Sequence, residues 1–84
     1  LALARRVIER GGTSGAIFNA ANEEAVEAFV DERLPFGAIT RVVREVLEGL
    51  SIGPVRTIED VRGAAAAARR RAREVILQVV GVRS

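Results

Sequence analysis

Six amino-acid types are missing from this 84-residue sequence: cysteine, histidine, lysine, methionine, tryptophan and tyrosine. Without cysteine there is no disulfide and no thiolate nucleophile or metal ligand. Without histidine the commonest general base at neutral pH and the commonest metal ligand are absent. Without lysine a Schiff base and the phosphate-binding lysine of a P-loop are excluded. Chemistry within the chain would have to rely on carboxylates, arginines, two asparagines, one glutamine and a few hydroxyls.

The serines at positions 14, 51 and 84 have no histidine to activate them, so a serine triad within this chain is excluded. Thirteen basic residues, all arginine, face eleven carboxylates, and the net charge is only +2. Nucleic-acid binders usually cluster positive charge more strongly, so we expect no nucleic-acid partner.

No segment approaches the roughly 18 apolar residues that a membrane span requires, so we expect no membrane insertion. The first ten residues lack a basic region followed by an apolar run, so they are not predicted to be a signal peptide. The absence of a predicted targeting segment, together with the resemblance described below, leads us to expect a cytoplasmic protein. Because the sequence does not begin with methionine, we also expect it to be part of a longer polypeptide.

The spacing of apolar residues predicts an all-α fold, a small antiparallel four-helix bundle, over a single domain of residues 1–84. A chain of this length buries only about 60% of its unfolded surface, so the predicted core is modest. Glycine or proline is predicted to end each of the first three helices. The predicted helices cover approximately residues 1–10, 19 or 20 to 33, 37–48 and 58–80.

The last predicted helix has the clearest start signal, because Thr57 is a good N-cap and Asp60 three residues later nearly completes a capping box. Its predicted inward seam consists of Val61, Ala65, Ala68, Ala72, Val75 and Val79. The run "RRRAR" at 69–73 lies off this seam, so we expect it to face water. A phosphate-binding stripe is the alternative, but the base-stacking aromatics of nucleic-acid binders are missing around it.

The segment "AIFNAANEEAVEAFV" at 16–30 supports two interpretations. In the first, Asn19 is an N-cap that accepts a hydrogen bond from the amide of Asn22, and the following acidic residues, Glu23 and Glu24, suit the first turn of a helix. In the second, Glu23 and Glu27 form a carboxylate pair for a metal ion or for acid–base chemistry. We favour the capping interpretation, because no histidine or cysteine is available to complete a metal site.

The glycine-rich stretch "GGTSG" at 11–15 precedes a helix and could cradle a phosphate with its amides. It matches neither GxGxxG nor the P-loop pattern, and it follows a predicted helix instead of a strand. A loop between two helices is the favoured interpretation.

Taken together, the motifs resemble the C-terminal helical domain of 1-deoxy-D-xylulose 5-phosphate reductoisomerases. The similarity runs through nearly all 84 residues in order, and "NAANE" followed by "AVEAF" is its most specific part. The other matching features are the Gly-Gly loop, Leu34 with Phe36, "I-x-x-V" at 39–42, "VLE" at 46–48 and "EDV" at 59–61.

The resemblance implies a parent enzyme that converts 1-deoxy-D-xylulose 5-phosphate to 2-C-methyl-D-erythritol 4-phosphate in non-mevalonate isoprenoid biosynthesis. Such enzymes use NADPH and Mg²⁺ or Mn²⁺, bound by an N-terminal dinucleotide-binding domain and a central catalytic domain. The residues that bind these groups have no counterpart here, and Glu23 does not match a metal-ligand segment. We therefore assign no catalytic, cofactor-binding or metal-binding residue, and we expect the fragment to bind no cofactor and to be inactive alone.

The role implied by the resemblance is structural, with the nucleotide-binding and catalytic domains of the same chain as partners. A patch expected to contact them, or to cause self-association of the isolated fragment, contains Leu50, Ile52, Val55, Val80 and Val82. The alternative is a free-standing helical protein-interaction module that binds through the arginine-rich helix. An independent enzyme is a third interpretation, and its catalysis would have to depend on carboxylates alone.

Overall fold

The computed structural model describes residues 11–81. This range contains three α-helices and no strand: α1 is Ser14–Val30, α2 is Ile39–Gly49 and α3 is Ile58–Val79. A single turn of 3-10 helix, Phe36–Ala38, leads into α2. The all-α prediction is therefore confirmed. The predicted first helix, residues 1–10, lies outside the described residues, so the predicted number of four helices is not confirmed.

The three helices run up, down and up. Thr13, just before α1, lines the same cavity as Ala64 near the start of α3. Phe29, near the end of α1, lines another cavity with Val80, just after α3. Helices α1 and α3 are therefore parallel neighbours, and α2 runs antiparallel to both. None of the helices in residues 11–81 is both long and apolar enough to cross a bilayer.

Small and branched side chains fill the core between the three helices. In α1 the buried apolar residues are mostly alanines, which let the helix backbones approach closely, and α2 contributes three valines and a leucine. The predicted seam of α3 is confirmed at its centre, where Ala68, Ala72 and Val75 are fully buried. The core consists of Ile17, Ala20, Ala21, Ala25, Ala28, Leu34, Val42, Val43, Val46, Leu47, Ala68, Ala72, Val75 and Ile76.

Helix α3 begins as predicted. The Thr57 hydroxyl accepts a hydrogen bond from the Asp60 amide at 3.2 Å, and the Asp60 carboxylate accepts one from the Thr57 amide at 3.0 Å. The same carboxylate accepts a hydrogen bond from the Arg56 amide at 2.8 Å. The hydrogen bonds from the amides of Arg56 and Thr57 lower the pKa of Asp60 below its ordinary 3.8.

Helix α1 begins earlier than predicted, so the assignment of Asn19 as an N-cap is wrong. The helix starts at Ser14, directly after a turn in which Gly11 and Gly12 have positive φ. The Thr13 amide donates to the carbonyl of Gly53 at 2.9 Å, and the Thr13 hydroxyl accepts from the Gly53 amide at 3.1 Å. This pairing with the loop before α3 holds the start of α1 in place, so most of "GGTSG" is helix or its boundary.

Helix α1 also ends before the predicted residue 33. Glu32 adopts a left-handed conformation with φ 63°, although it is not glycine. The Arg33 amide donates to the carbonyl of Ala28 at 2.8 Å, and the Glu32 amide donates to that of Phe29 at 2.9 Å. These bonds form a Schellman-type ending, which stops the helix before Pro35 is reached.

Candidate functional site

The polar residues of "NAANEE" do not form a helix cap; their two glutamates meet the arginine run of α3. Arg73 binds Glu24 through two nearly parallel hydrogen bonds, with Nε–Oε1 at 3.1 Å and Nη2–Oε2 at 3.2 Å. Arg69 donates to Glu24 Oε2 at 3.4 Å and to Glu23 Oε1 at 2.7 Å. We call these four residues, Glu23, Glu24, Arg69 and Arg73, the ion cluster.

Burial differs sharply within the ion cluster. The side chain of Glu24 is only 10% exposed, whereas that of Glu23 is 64% exposed. Glu24 therefore depends on the two guanidinium groups for its hydrogen bonds, while Glu23 also has water. The hydrogen bond with Glu23 raises the pKa of Arg69, and that with Glu24 raises the pKa of Arg73, so both arginines stay charged.

This geometry suits a connection between helices better than it suits catalysis. The carboxylates of the ion cluster are neutralised by arginines, and Glu27, the partner of Glu23 in the alternative metal or acid–base interpretation, is exposed to solvent. Within residues 11–81 no group of three or more acidic side chains is arranged to hold a metal ion. The geometry therefore favours a role in holding α1 and α3 in one parallel register.

The prediction that the run 69–73 faces water is confirmed for Arg70 and Arg73, which are exposed. The side chains of Arg69 and Arg71 are only 39% and 35% exposed. Arg69 and Arg73 lie against α1 in the ion cluster. Arg71 pairs with Glu74 at 3.0 Å. The four-residue spacing of Arg69 and Arg73 placed them on one face of α3, but the sequence did not indicate that α1 would lie beside that face.

The two asparagines of the motif stand apart from the ion cluster. Asn19 is exposed and Asn22 is half-buried. Val26 and Val30 follow Asn19 by seven and eleven residues, and all three are exposed. This spacing places them on one outward stripe of α1, which also includes the exposed Glu23.

A second feature lies at the end of the molecule where α1 stops. The rings of Phe29 and Phe36 meet edge to face with centroids 5.5 Å apart. They remain 40% and 72% exposed. Val26 lies three residues before Phe29 and four before Val30, so it neighbours both on α1. Val80 lines the same cavity as Phe29, about 560 Å³ in volume. We call these five residues, Val26, Phe29, Val30, Phe36 and Val80, the apolar end.

The turn after α1 positions Phe36. Glu32 reverses the chain, Leu34 is 3% exposed and anchors the segment in the core, and Pro35 is extended. The 3-10 turn then starts at Phe36 and returns its ring to Phe29. Sequence reasoning noted Leu34 and Phe36 as a motif but did not identify the exposed aromatic pair.

The apolar patch expected from the sequence does not exist as one surface. Leu50 and Ile52 are partly buried and pack against the core. Val55 and Val80 are exposed, but they lie before and after α3, at opposite ends of the bundle. Val82 lies outside the described residues.

Two amides of the "GGTSG" segment are already bonded within the domain, and that of Ser14 donates to the carbonyl of Gly11 at 3.2 Å. The amide and hydroxyl of Thr13 are both used by Gly53. The neighbouring cavity, about 470 Å³, is lined by Asp60 as well as Arg56, and a carboxylate there disfavours an anion. This agrees with a structural role for the segment.

Comparison with known proteins shows the family to which the chain is similar. Residues 1–71 match the family model of the DXP reductoisomerase C-terminal domain. The 1-deoxy-D-xylulose 5-phosphate reductoisomerase of Allorhizobium ampelinum is 54% identical over 76 residues, which cover 89% of this chain and 19% of that protein. The reductoisomerase of Ralstonia nicotianae is 47% identical over 76 residues, 90% of this chain and 19% of that protein.

A solved structure supports the same family assignment. The reductoisomerase of Zymomonas mobilis in complex with NADPH superposes with a TM-score of 0.86 at 36% identity, covering 90% of this chain and 20% of that one. The chain thus spans about a fifth of the length of the proteins it matches. It belongs to the DXP reductoisomerase family, in the part that forms the C-terminal domain.

Proposed function

We propose that the chain serves as the C-terminal structural domain of a 1-deoxy-D-xylulose 5-phosphate reductoisomerase. The whole enzyme would convert that substrate to 2-C-methyl-D-erythritol 4-phosphate with NADPH and a divalent metal, in the cytoplasm, for isoprenoid biosynthesis. The other domains would hold the cofactor, the metal and the reacting groups. This domain would pack against them and keep the active-site cleft in shape.

The observation that carries the proposal is the superposition of the helices on one fifth of an NADPH-bound reductoisomerase. The ion cluster supports the structural part of it, because its carboxylates are bound to arginines of the same domain. The same pairs weigh against the free-standing module that binds through the arginine-rich helix. Arg69 and Arg73 are occupied within the domain, which leaves fewer free cations for a partner.

A chimera tests the proposal. The segment of the Allorhizobium ampelinum enzyme that aligns with this chain would be replaced by this chain, and the same enzyme truncated at that point is the control. We expect the chimera to be monodisperse and to oxidise NADPH with 1-deoxy-D-xylulose 5-phosphate, and the truncated enzyme to lose both properties. A chimera that behaves like the truncated enzyme would contradict the proposal.

A further inference from the structure

We propose that the apolar end is the surface through which this domain docks on the catalytic part of its own polypeptide. The inference rests on the proposed function and adds to it the face and the residues that make the contact. The central anchor is the aromatic pair of Phe29 and Phe36.

The distribution of exposed apolar side chains points to this end. Within residues 11–81, five of the eight exposed large apolar side chains belong to the apolar end. Val55 and Ile58 lie at the start of α3, at the opposite end, whereas Leu77 lies in the last turn of α3, three residues before Val80. A contiguous exposed apolar patch on a small domain marks an interaction surface, whereas single exposed residues need no explanation.

The outer faces elsewhere are charged. On α2, Arg41 pairs with Glu45 at 2.9 Å, and on α3, Arg62 pairs with Glu59 at 3.5 Å. Such exposed pairs keep a surface hydrated. The outward stripe of α1 carries Glu23, which is bound to Arg69, and the exposed Glu27 lies beside it. Its last turns nevertheless present Val26, Phe29 and Val30 to solvent.

The apolar end also has the composition of an interface. Its centre is aromatic and uncharged, and its rim carries Glu32 and Arg33 beside the cavity. Interfaces concentrate aromatic residues at a core that lacks charge and surround it with a polar rim. Phe36 is held in place by the buried Leu34 and the rigid Pro35, so little conformational freedom remains to be lost on docking.

The size of the apolar end indicates that its binding partner is another part of the same polypeptide and not a second copy of the chain. A stable dimer of standard size takes about 20 to 30 residues from each partner, more than this end provides. An interface between domains of one chain can be smaller, roughly 600–1,500 Å², because the covalent connection raises the effective concentration. The matched relatives extend over about five times the length of this chain, so such a partner is at hand.

Cysteine labelling tests the inference, since the chain contains no cysteine of its own. Val30→Cys and Phe36→Cys would be made at the apolar end, where the native residues are 69% and 72% exposed. Ile58→Cys and Val55→Cys are controls, because those residues are 65% and 49% exposed at the opposite end of the bundle. Alkylation rates would be compared between the free 84-residue chain and the chimera, with the modified peptides located by mass spectrometry.

We expect alkylation of the Val30→Cys and Phe36→Cys variants to be slowed about tenfold or more in the chimera, because a docked surface reacts only when it opens. The two control variants should react at nearly the same rate in both contexts. Unchanged rates at the apolar end in an active chimera would overturn the inference while leaving the proposed function intact. Slowed rates at the control positions instead would place the docking surface on another face.

Labelling of the free 84-residue chain tests the alternative that a second copy of the chain covers the apolar end. If a second copy covered the apolar end, labelling of the Val30→Cys variant in the free chain would slow as protein concentration rises. We expect no such dependence at micromolar concentration, and its appearance would overturn the assignment. Loss of activity in the unmodified chimera would instead count against the proposed function.

Discussion

Replacing Glu24 with glutamine should lower the free energy of unfolding by about 1–2 kcal/mol, because a nearly buried carboxylate that binds two guanidinium groups loses its charge. The carboxylate accepts three hydrogen bonds from two guanidinium groups, at 3.1, 3.2 and 3.4 Å, while its side chain is 10% exposed. Breaking a fully buried pair costs roughly 3–5 kcal/mol. The loss here is smaller because the arginine side chains remain 39% and 65% exposed and can turn to water.

Urea unfolding followed by far-ultraviolet circular dichroism at neutral pH measures the effect. Glu23→Gln is the matched control, since Glu23 makes a shorter hydrogen bond, 2.7 Å, but its side chain is 64% exposed. That variant should lose no more than about 0.5 kcal/mol, as exposed pairs generally do. Equal losses for the two variants, or an unchanged Glu24→Gln protein, would refute the argument that burial decides the strength of this cluster.

Three further predictions concern single positions. Gly12→Ala should lower the free energy of unfolding by about 2–4 kcal/mol, because a Cβ would overlap the Gly53 carbonyl oxygen. Gly11→Ala should lower it by only about 1 kcal/mol, since Gly11 also has positive φ but open space around it. Urea unfolding measures both losses. Glu32→Gly should stabilise by about 0.5–1 kcal/mol by relieving the left-handed backbone, and an unchanged or lower melting temperature would contradict this. Because the pKa of Asp60 is lowered by folding, its carboxylate adds stability above about pH 4 that is lost as pH falls. The Asp60→Asn variant should therefore have a lower free energy of unfolding at neutral pH than the wild-type chain, and this free energy should fall less steeply between neutral pH and about pH 3. Urea unfolding at several pH values measures this, and an equally steep fall in the two proteins would contradict the linkage.

The local signals in the sequence predicted α3 well. Thr57 and Asp60 mark a helix start through side chains that act within one turn, and the structure contains that capping box. The spacing of Ala68, Ala72 and Val75 predicted the buried face of the same helix, and all three are buried. Both successes depend on interactions between residues close in sequence.

The prediction of where α1 begins was wrong for the opposite reason. Asn19 is a good cap by type, but Thr13 is held by Gly53, forty residues away, and the helix begins directly after it. A contact at that distance in the chain has no local signal.

By itself the sequence determined the all-α class, the family, and the absence of histidine, lysine and cysteine chemistry from this chain. These follow from residue types and from periodicity along one helix. Only the tertiary structure decided that Glu24 meets Arg73 and that Phe36 remains exposed beside Phe29. Both depend on the parallel register of α1 and α3 and on the turn at Glu32, because packing between distant segments selects which faces are covered.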